Sequence, residues 1–272
     1  MRRRMTLRGL EQVNLNEGAV PEWVDSVFDR RDIHVLHCGA DIPPPELIRL
    51  RGILIDDERK RADRFYFDRD RDIFTVTRAA LRILLAAYLG GDVDPSGIVF
   101  DHGPYGKPHV AVPAGKGINF NVSHSGRHAL LAFSAAHEVG IDIQQLRSTT
   151  DLNGIAERFF AEREVGRWRK LPPESRTRAF YACWARKEAF IKATGRGLSY
   201  PLKDFTVPVE PALMLHEIPV LEESSGENRY RIRDLEVPEG YVGSLCWCSV
   251  SDTDALSLSE EAIRSDRPER ET

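Results

Sequence analysis

The chain has 272 residues, of which 42% are hydrophobic and 29% are charged, and its formal net charge is −4. This length and apolar content predict a globular protein with one large domain or two smaller ones, and they argue against a disordered chain. No apolar run approaches the roughly 20 residues of a membrane helix, and no apolar segment follows Met1-Arg2-Arg3-Arg4. We therefore expect neither a membrane span nor a secretory signal, and we expect a cytoplasmic protein.

The net negative charge of the chain arises from its C-terminal tail. Residues 251–272 contain seven acidic and three basic residues, so the remainder of the chain is electrically balanced. Basic residues cluster between Arg49 and Arg82, but aspartates are interspersed among them, which argues against a nucleic-acid-binding arm. The four cysteines form no CxxC pair and predict no disulfide framework.

The N-terminal half predicts a strand, then helices, then short strands. Residues 33–38 have the pattern of a strand, whose alternation would place His34 and His37 on opposite faces and disfavours a metal site there. Helical periodicity predicts helices at about 55–67 and 71–89, the second ending at Gly90-Gly91. A turn is expected at 101–105, between residues 97–100 and 106–110, and further strands are expected at 118–123 and 128–133.

The C-terminal half repeats this rhythm. Strands are predicted at 139–143, 205–207, 230–232 and 243–250. Helices are predicted at 152–160, 161–171 and 176–194. When Phe74 is set against Phe180 without gaps, three further identities follow, at Ala79 and Ala185, Ala87 and Ala193, and Gly91 and Gly197. We expect an α+β fold made of two pseudo-symmetric halves, with residues 1–137 and 138–250 as the halves and 251–272 as an acidic tail.

Two segments carry a concentration of charged side chains that suits chemistry. In a helix, Trp184, Glu188 and Lys192 form one i, i+4, i+8 line. Asp142 is the only acid in the apolar strand pattern 139–143. Glu188 and Lys192 could form an ordinary surface ion pair. Alternatively, two carboxylates and a lysine suit a divalent cation and a phosphate.

Three other segments offer contacts for an anion. Gly106-Lys107-Pro108 provides a backbone amide beside a cation, residues 121–126 provide hydroxyls, an imidazole and turn amides, and Arg61 lies in a basic helix. Each composition is also common in ordinary turns and helices. Serine hydrolysis is disfavoured, because no G-x-S-x-G motif is present and His124 would point away from Ser123 on a strand.

The order of these segments resembles the motif series of the 4′-phosphopantetheinyl transferases, in their surfactin-synthetase-activating subclass with two halves in one chain. The motifs are Gly106-Lys107-Pro108, the 121–126 and 139–143 segments, and Phe180-x3-Trp184-Ala185-x-Lys187-Glu188-Ala189-Phe190-x-Lys192. The resemblance implies an active site in the cleft between two α/β halves. It also implies an enzyme of the holo-[acyl-carrier-protein] synthase type, which transfers the 4′-phosphopantetheine of coenzyme A to a serine of acyl or peptidyl carrier proteins. Fatty-acid, polyketide, nonribosomal-peptide and siderophore carriers all remain open, as does a non-catalytic homologue that binds coenzyme A or a carrier.

The resemblance also implies roles for individual residues. Asp142 and Glu188 match the ligands of Mg²⁺, which Mn²⁺ can replace, and Glu188 matches the proposed general base. Lys192 matches the lysine that contacts the phosphates. The residues that match the coenzyme A site are Arg61, Gly106, Lys107, Pro108, Asn121, Ser123, His124 and Lys192. Two halves in one chain suggest a monomer, and we expect neither nucleic acid nor a membrane as a partner.

The chain departs from many relatives at one metal position. Gln144 stands two residues beyond Asp142, where close relatives often carry a second acid. Its side chain would lie on the same face of the strand as Asp142 and could ligate through oxygen without adding charge. We expect two carboxylates to suffice, with water in the third place.

Overall fold

The computed structural model describes residues 7–12, 33–90, 92–113, 117–148, 151–210, 215–218 and 229–249. The predicted acidic tail lies outside the described residues. Within them, none of the helices has both the length and the apolar character needed to cross a bilayer. The helices are α1 Pro44–Ile53, α2 Asp56–Ala62, α3 Asp68–Leu89, α4 Leu152–Phe159, α5 Glu162–Lys170 and α6 Pro173–Ala193.

The strands form two four-stranded sheets and one hairpin. They are β1 Leu7–Gln12, β2 Ile33–Gly39, β3 Val99–His102, β4 Pro108–Val112, β5 Asn119–Ser125, β6 His128–Ser134, β7 Glu138–Gln145, β8 Leu215–Ile218, β9 Arg229–Leu235 and β10 Tyr241–Ser249. The first sheet has the order β1-β2-β6-β5, the second has the order β7-β10-β9-β8, and β3 pairs with β4. Among the strand pairs that the structure describes, β1 and β2 are parallel. The other described pairs are antiparallel, and the α+β class predicted from the sequence is confirmed.

Each sheet has one face against a long helix and one face against the other sheet. Helix α3 buries its apolar side chains with residues such as Leu131 and Phe133 of β6. Helix α6 packs in the same way against Cys246 of β10 and its neighbours. Between the sheets lies a third apolar cluster, to which β7 contributes Val139, Ile141 and Ile143. Because side chains alternate along a strand, Gly140, Asp142 and Gln144 of β7 face the other way, toward α6.

The two halves correspond element by element. A shift of 106 residues takes Asp56, the first residue of α2, to Glu162, the first residue of α5. It also lays most of β2 on β7, α1 on α4 and α3 on α6. The shift pairs Glu58 with Glu164, each of which accepts a hydrogen bond from the backbone amide at the start of its own helix. This correspondence agrees with the duplication predicted from the sequence, while the boundary at residues 137 and 138 remains a prediction.

The structure differs from the predicted elements in several places. The helix expected at 55–67 ends at Ala62, and the helix expected from 71 begins at Asp68. Strand β1, helix α1 and strand β8 were not predicted. The strand expected at 205–207 is wrong, because side chains occupy the backbone groups that a sheet would use: Lys187 donates to the Phe205 carbonyl and Glu164 accepts from the Val207 amide.

Candidate active site

Asp142 and Lys192 form the centre of the site. Lys192 Nζ lies 2.6 Å from Asp142 Oδ1 and 3.2 Å from the Ile141 carbonyl oxygen. Asp142 is buried, with 2% of its surface exposed, and Lys192 is partly buried. Of the two readings that the sequence left open for Lys192, the surface ion pair with Glu188 is therefore wrong: its ion pair is with the strand carboxylate.

A glycine on β7 allows this approach. At Gly140, an added Cβ would overlap the Ala189 carbonyl oxygen and the Ala193 amide nitrogen of α6. The helix backbone therefore rests directly on the strand, two residues before Asp142. This packing brings the last two turns of α6, which carry Glu188 and Lys192, over the acidic position of β7.

Strand β5 lies beside β7 and is joined to it by side chains. Asn121 Oδ1, Ser123 Oγ and Ser125 Oγ accept hydrogen bonds from the backbone amides of Ile141, Ile143 and Gln145, at 2.9, 3.4 and 3.0 Å. We call these three bonds the β5–β7 seam. Each partner is 20 residues further along the chain, so the seam fixes one register between the two sheets. It sets Ser123 opposite Asp142.

The Ser123 hydroxyl is enclosed in the Asp142 and Lys192 pair. It donates to Asp142 Oδ1 at 2.8 Å and accepts from Lys192 Nζ at 3.2 Å. Asn121 and Ser123 are both buried. The polar atoms that the sequence assigned to coenzyme A at these two positions are thus engaged with β7 and α6 in the structure.

Glu188 is partly buried and carries an unfavourable charge. Burial raises the pKa of its carboxyl above the usual glutamate range, the Asp142 charge raises it further, and Lys192 opposes the shift. The coupling of the two acids means that α6 and β7 bring their carboxylates into one electrostatic site. A carboxylate with a raised pKa is a stronger base, which suits proton transfer.

Gln144 caps the second oxygen of Asp142. Its Nε2 donates to Asp142 Oδ2 at 2.8 Å, so the side chain does lie on the Asp142 face of β7 as its position predicts. The orientation of the carboxamide is assigned from this hydrogen bond. Rotation by half a turn would present oxygen in place of nitrogen.

Two cations flank His124 at the end of β5. The side chain is exposed, but dense surroundings lower the pKa of His124, and the charges of Lys192 and Arg61 lower it further. Asp70 and Asp142 act in the opposite direction. Arg61 lies 5.1 Å from the ring centre of Phe74, a cation–π contact that orients it from α2. Three basic side chains from α2, β5 and α6 therefore share one electropositive region beside Asp142.

The hairpin turn that carries Gly106-Lys107-Pro108 lines a separate part of the cleft. This part has a volume of about 400 Å³ and is also lined by Tyr105, Phe120 and Arg196. The Lys107 ammonium donates to Glu138 Oε2 at 2.7 Å and to the carbonyls of Val139 and Ala193 at 3.2 and 3.4 Å. It thereby ties the hairpin to β7 and to the end of α6.

Several charged residues near the motifs have structural partners. Lys187 is fully buried and pairs with Glu164 at 2.8 Å, and it donates to the Leu202 and Phe205 carbonyls. Arg186 binds Asp234 with both arms of its guanidinium. Hydropathy does not reveal such roles, because a buried basic residue has the same sequence signature as one exposed in a cleft.

The N-terminal half contains the matching arrangement. Glu58 binds Arg78 and Arg82, and Arg82 is completely buried and also donates to the carbonyls of Pro95 and Ile98. This network attaches α2, and with it Arg61, to α3. A glutamate at the third position of a helix is the one sequence signal that could have identified both networks.

The side chains around Asp142 offer oxygen atoms to a divalent cation. Among the described residues, no group of three or more histidine, cysteine or acidic side chains is placed to hold a metal. Burial, and after it the charge of Asp142, nevertheless raises the pKa of Glu188, and the Gln144 carboxamide contacts Asp142. A hard cation would relieve the repulsion between the two carboxylates, and oxygen ligands are those that Mg²⁺ prefers. Asp142, Glu188 and Gln144 therefore fit a magnesium ion that completes its shell with water or substrate oxygens.

Comparison with known proteins gives the same picture for both halves. Residues 138–246 match a profile of the 4′-phosphopantetheinyl transferase superfamily, and residues 44–136 match a profile of the 4′-phosphopantetheinyl transferase N-terminal region. The 4′-phosphopantetheinyl transferase HetI of Nostoc sp. is 40% identical over 185 residues, which cover 66% of this chain and 77% of that protein.

Two proteins of Bacillus subtilis cover more of the chain. A 4′-phosphopantetheinyl transferase is 33% identical over 83% of this chain and 96% of its own length. The 4′-phosphopantetheinyl transferase Sfp is 29% identical over 79% of this chain and 91% of its own length. With both halves matched and relatives covered over most of their length, the chain belongs to the 4′-phosphopantetheinyl transferase superfamily and is of the Sfp type.

Proposed function

We propose that this protein transfers the 4′-phosphopantetheine group of coenzyme A to a serine hydroxyl of acyl or peptidyl carrier proteins and releases adenosine 3′,5′-bisphosphate. The observation that carries the proposal is the convergence of Asp142, Glu188 and Lys192, from β7 and α6, in a chain of this family. Cations beside paired carboxylates are what phosphoryl transfer from a pyrophosphate requires.

The electropositive region supplies the contacts for the coenzyme phosphates. Lys192 faces the site centre and binds the pyrophosphate, while Arg61 and His124 bind the phosphate on the ribose. An approaching phosphate offsets the two positive charges that lower the pKa of His124, so binding favours the protonated imidazole. The cleft lined by Tyr105, Lys107 and Pro108 accommodates the remainder of the nucleotide. Lys107 supports that cleft through its bond to Glu138.

Magnesium, or manganese in its place, is proposed as the cofactor. Asp142 and Glu188 would hold it, with Gln144 or water as a further oxygen ligand. When bound, the ion neutralises negative charge on the pyrophosphate and polarises the phosphorus–oxygen bond that breaks.

The chain's own residues handle the proton and the leaving charge. The carrier serine oxygen attacks the phosphorus that bears the pantetheine arm, and the bond from that phosphorus to the bridging oxygen breaks. The serine proton passes to Glu188, directly or through water. The Lys192 ammonium stabilises the negative charge that develops on the departing adenosine 3′,5′-bisphosphate.

Carrier labelling tests the proposal. The protein is incubated with coenzyme A, magnesium chloride and several apo carrier domains, and each carrier is weighed by mass spectrometry. We expect a mass gain equal to one phosphopantetheine arm on at least one carrier, and none on a matched carrier whose acceptor serine is alanine. Coenzyme binding by calorimetry without any labelling would instead favour the non-catalytic alternative, which the names of the cited relatives do not support. The monomeric state and the cytoplasmic location stay predictions.

A further inference from the structure

The Ser123 hydroxyl has three protein partners and no capacity left for a phosphate. A serine hydroxyl has one hydrogen to donate and two lone pairs with which to accept. Its hydrogen goes to Asp142 Oδ1 at 2.8 Å. Its lone pairs accept from Lys192 Nζ at 3.2 Å and from the Ile143 amide at 3.4 Å. A phosphate oxygen can only accept, so Ser123 could bind one only by releasing Asp142.

The burial of Ser123 agrees with this count of hydrogen bonds. Only 8% of the residue is exposed, whereas the neighbouring His124 is exposed and lies between Arg61 and Lys192. Adjacent residues of a strand point to opposite sides. The two residues that the sequence treated as one phosphate-binding pair therefore face different surroundings.

We propose that Ser123 is a positioning residue: it holds Asp142 and Lys192 in their working geometry from the opposite half of the protein and does not bind the coenzyme. This inference rests on the proposed function. Lys192 and Ser123 both donate to Asp142 Oδ1, and Lys192 also donates to Ser123, which closes a triangle of three hydrogen bonds. Such a triangle limits rotation of both the carboxylate and the ammonium. Strand β5 thereby contributes to the chemistry of β7 and α6 through the β5–β7 seam.

The chain provides a matched control two residues away. Ser125 Oγ accepts from the Gln145 amide at 3.0 Å, so it makes a seam bond like that of Ser123. No bond joins Ser125 to Asp142 or Lys192 among the described residues. Both Ser123→Ala and Ser125→Ala remove one seam bond, and only Ser123→Ala opens the triangle.

Steady-state kinetics with a carrier substrate separate the two roles. We expect Ser123→Ala to lower kcat by roughly 10- to 100-fold, as is typical when a group supporting a catalytic ligand is lost, and to change the coenzyme A dissociation constant measured by calorimetry by a smaller factor. Ser125→Ala should keep kcat within about twofold of the wild type. Ser123→Thr, which retains the hydroxyl, should recover most of the lost kcat. A weakened coenzyme affinity with unchanged kcat in Ser123→Ala would overturn the proposal, as would an equal loss of kcat in Ser125→Ala.

A second readout does not depend on turnover. Crystal structures of the two alanine variants should show the Asp142 to Lys192 contact kept in Ser125→Ala and displaced in Ser123→Ala. The same contact retained in both variants would contradict a positioning role. If the wild-type protein labels no carrier, the proposed function fails, and these structures still decide what Ser123 does.

Discussion

Gly140 of β7 and Ala189 of α6 touch backbone to backbone. A Cβ built on Gly140 would overlap the Ala189 carbonyl oxygen and would lie 2.9 Å from the carbonyl carbon of Lys192. Glu188 directly precedes Ala189 in α6, and Lys192 is itself one of the residues that Gly140 approaches. The distance between β7 and α6 therefore sets how far the Glu188 carboxylate and the Lys192 ammonium lie from Asp142. Gly140 thus determines the geometry of the site without taking part in the chemistry.

Replacing Gly140 by alanine tests this relationship. The atoms that a methyl group would meet belong to the helix backbone and cannot rotate away, so α6 as a whole must shift. We expect Gly140→Ala to lower the free energy of unfolding by about 3 kcal/mol. We also expect kcat/KM to fall by at least about 100-fold, because a shift of an ångström misplaces catalytic groups. Denaturant unfolding and carrier labelling measure the two effects.

Gly166 of α5 is the control for the glycine-to-alanine change itself. A Cβ at this helical position would meet no atom within 4 Å. Alanine there should raise the free energy of unfolding by up to about 1 kcal/mol, because it is the better helix former. Normal stability in Gly140→Ala would show that α6 does not rest on β7 as described.

The raised pKa of Glu188 predicts that the ionised Glu188 carboxylate destabilises the metal-free protein. A carboxyl whose pKa is higher in the folded than in the unfolded chain releases its proton at a cost to folding. Stability is therefore full below the ordinary glutamate pKa of 4.5 and falls as pH rises through the higher folded value. Glu188→Gln removes this dependence, since the amide does not titrate.

Thermal unfolding in the presence of a chelator measures the effect. At neutral pH the melting temperature of Glu188→Gln should exceed that of the wild type, and the difference should vanish as the pH falls below 4.5. The same variant should lose at least about 100-fold in kcat. A melting temperature below the wild-type value at neutral pH would contradict the electrostatic origin of the shift, and near-normal turnover would remove Glu188 from the chemistry.

Local patterns predicted the long helices and several of the strands of both halves, because these have a clear apolar period. They failed where side chains take the place of secondary structure. Phe205 and Val207 alternate like a strand, but their backbone groups bond to Lys187 and Glu164. The pairing of Asp142 with Lys192 could not be predicted from spacing, since it depends on how closely α6 approaches β7 at Gly140. The family resemblance supplied the candidate residues, but not which polar groups were already engaged, as at Asn121 and Ser123.

Gln144→Glu tests whether this position belongs to the metal site. The carboxamide now donates to Asp142 Oδ2 at 2.8 Å. A carboxylate in its place would repel Asp142, so we expect a lower melting temperature in chelator than for the wild type. Magnesium should reverse that loss and should show a higher apparent affinity in the labelling assay, because the site gains a charged oxygen ligand.

Gln145→Glu is the control for the added charge, since residue 145 lies on the opposite face of β7. It should change neither the apparent magnesium affinity nor the rescue by magnesium. Equal magnesium affinity in Gln144→Glu and the wild type would show that the side chain at 144 is not a ligand, and that its role is limited to the hydrogen bond with Asp142.

Lys187 and Lys192 lie five residues apart on α6, and their replacement should have different effects. Loss of Lys187 should lower mainly stability, and loss of Lys192 should lower mainly kcat. Lys187 is fully buried, and its removal leaves the Glu164 carboxylate buried without its cation. Breaking such a pair typically costs about 3–5 kcal/mol, so Lys187→Met should lower the melting temperature markedly. Its folded fraction should keep near-normal kcat, because Lys187 contacts carbonyl groups and Glu164 and does not contact the site. Adding Glu164→Gln to Lys187→Met should recover part of the stability, since the unpaired charge is then gone.

Lys192 is partly exposed, and Asp142 keeps its bonds to Ser123 and Gln144 when the ammonium is removed. Because water can reach the position that the ammonium vacates, Lys192→Met should lower the free energy of unfolding by less than Lys187→Met does. It should lower kcat by roughly 100- to 1,000-fold, the usual loss when a donor to developing negative charge is removed. Calorimetric unfolding and single-turnover labelling of both variants give the two measurements on each. A large stability loss with normal turnover in Lys192→Met would mean that its ion pair with Asp142 holds the fold together and does not serve the transfer.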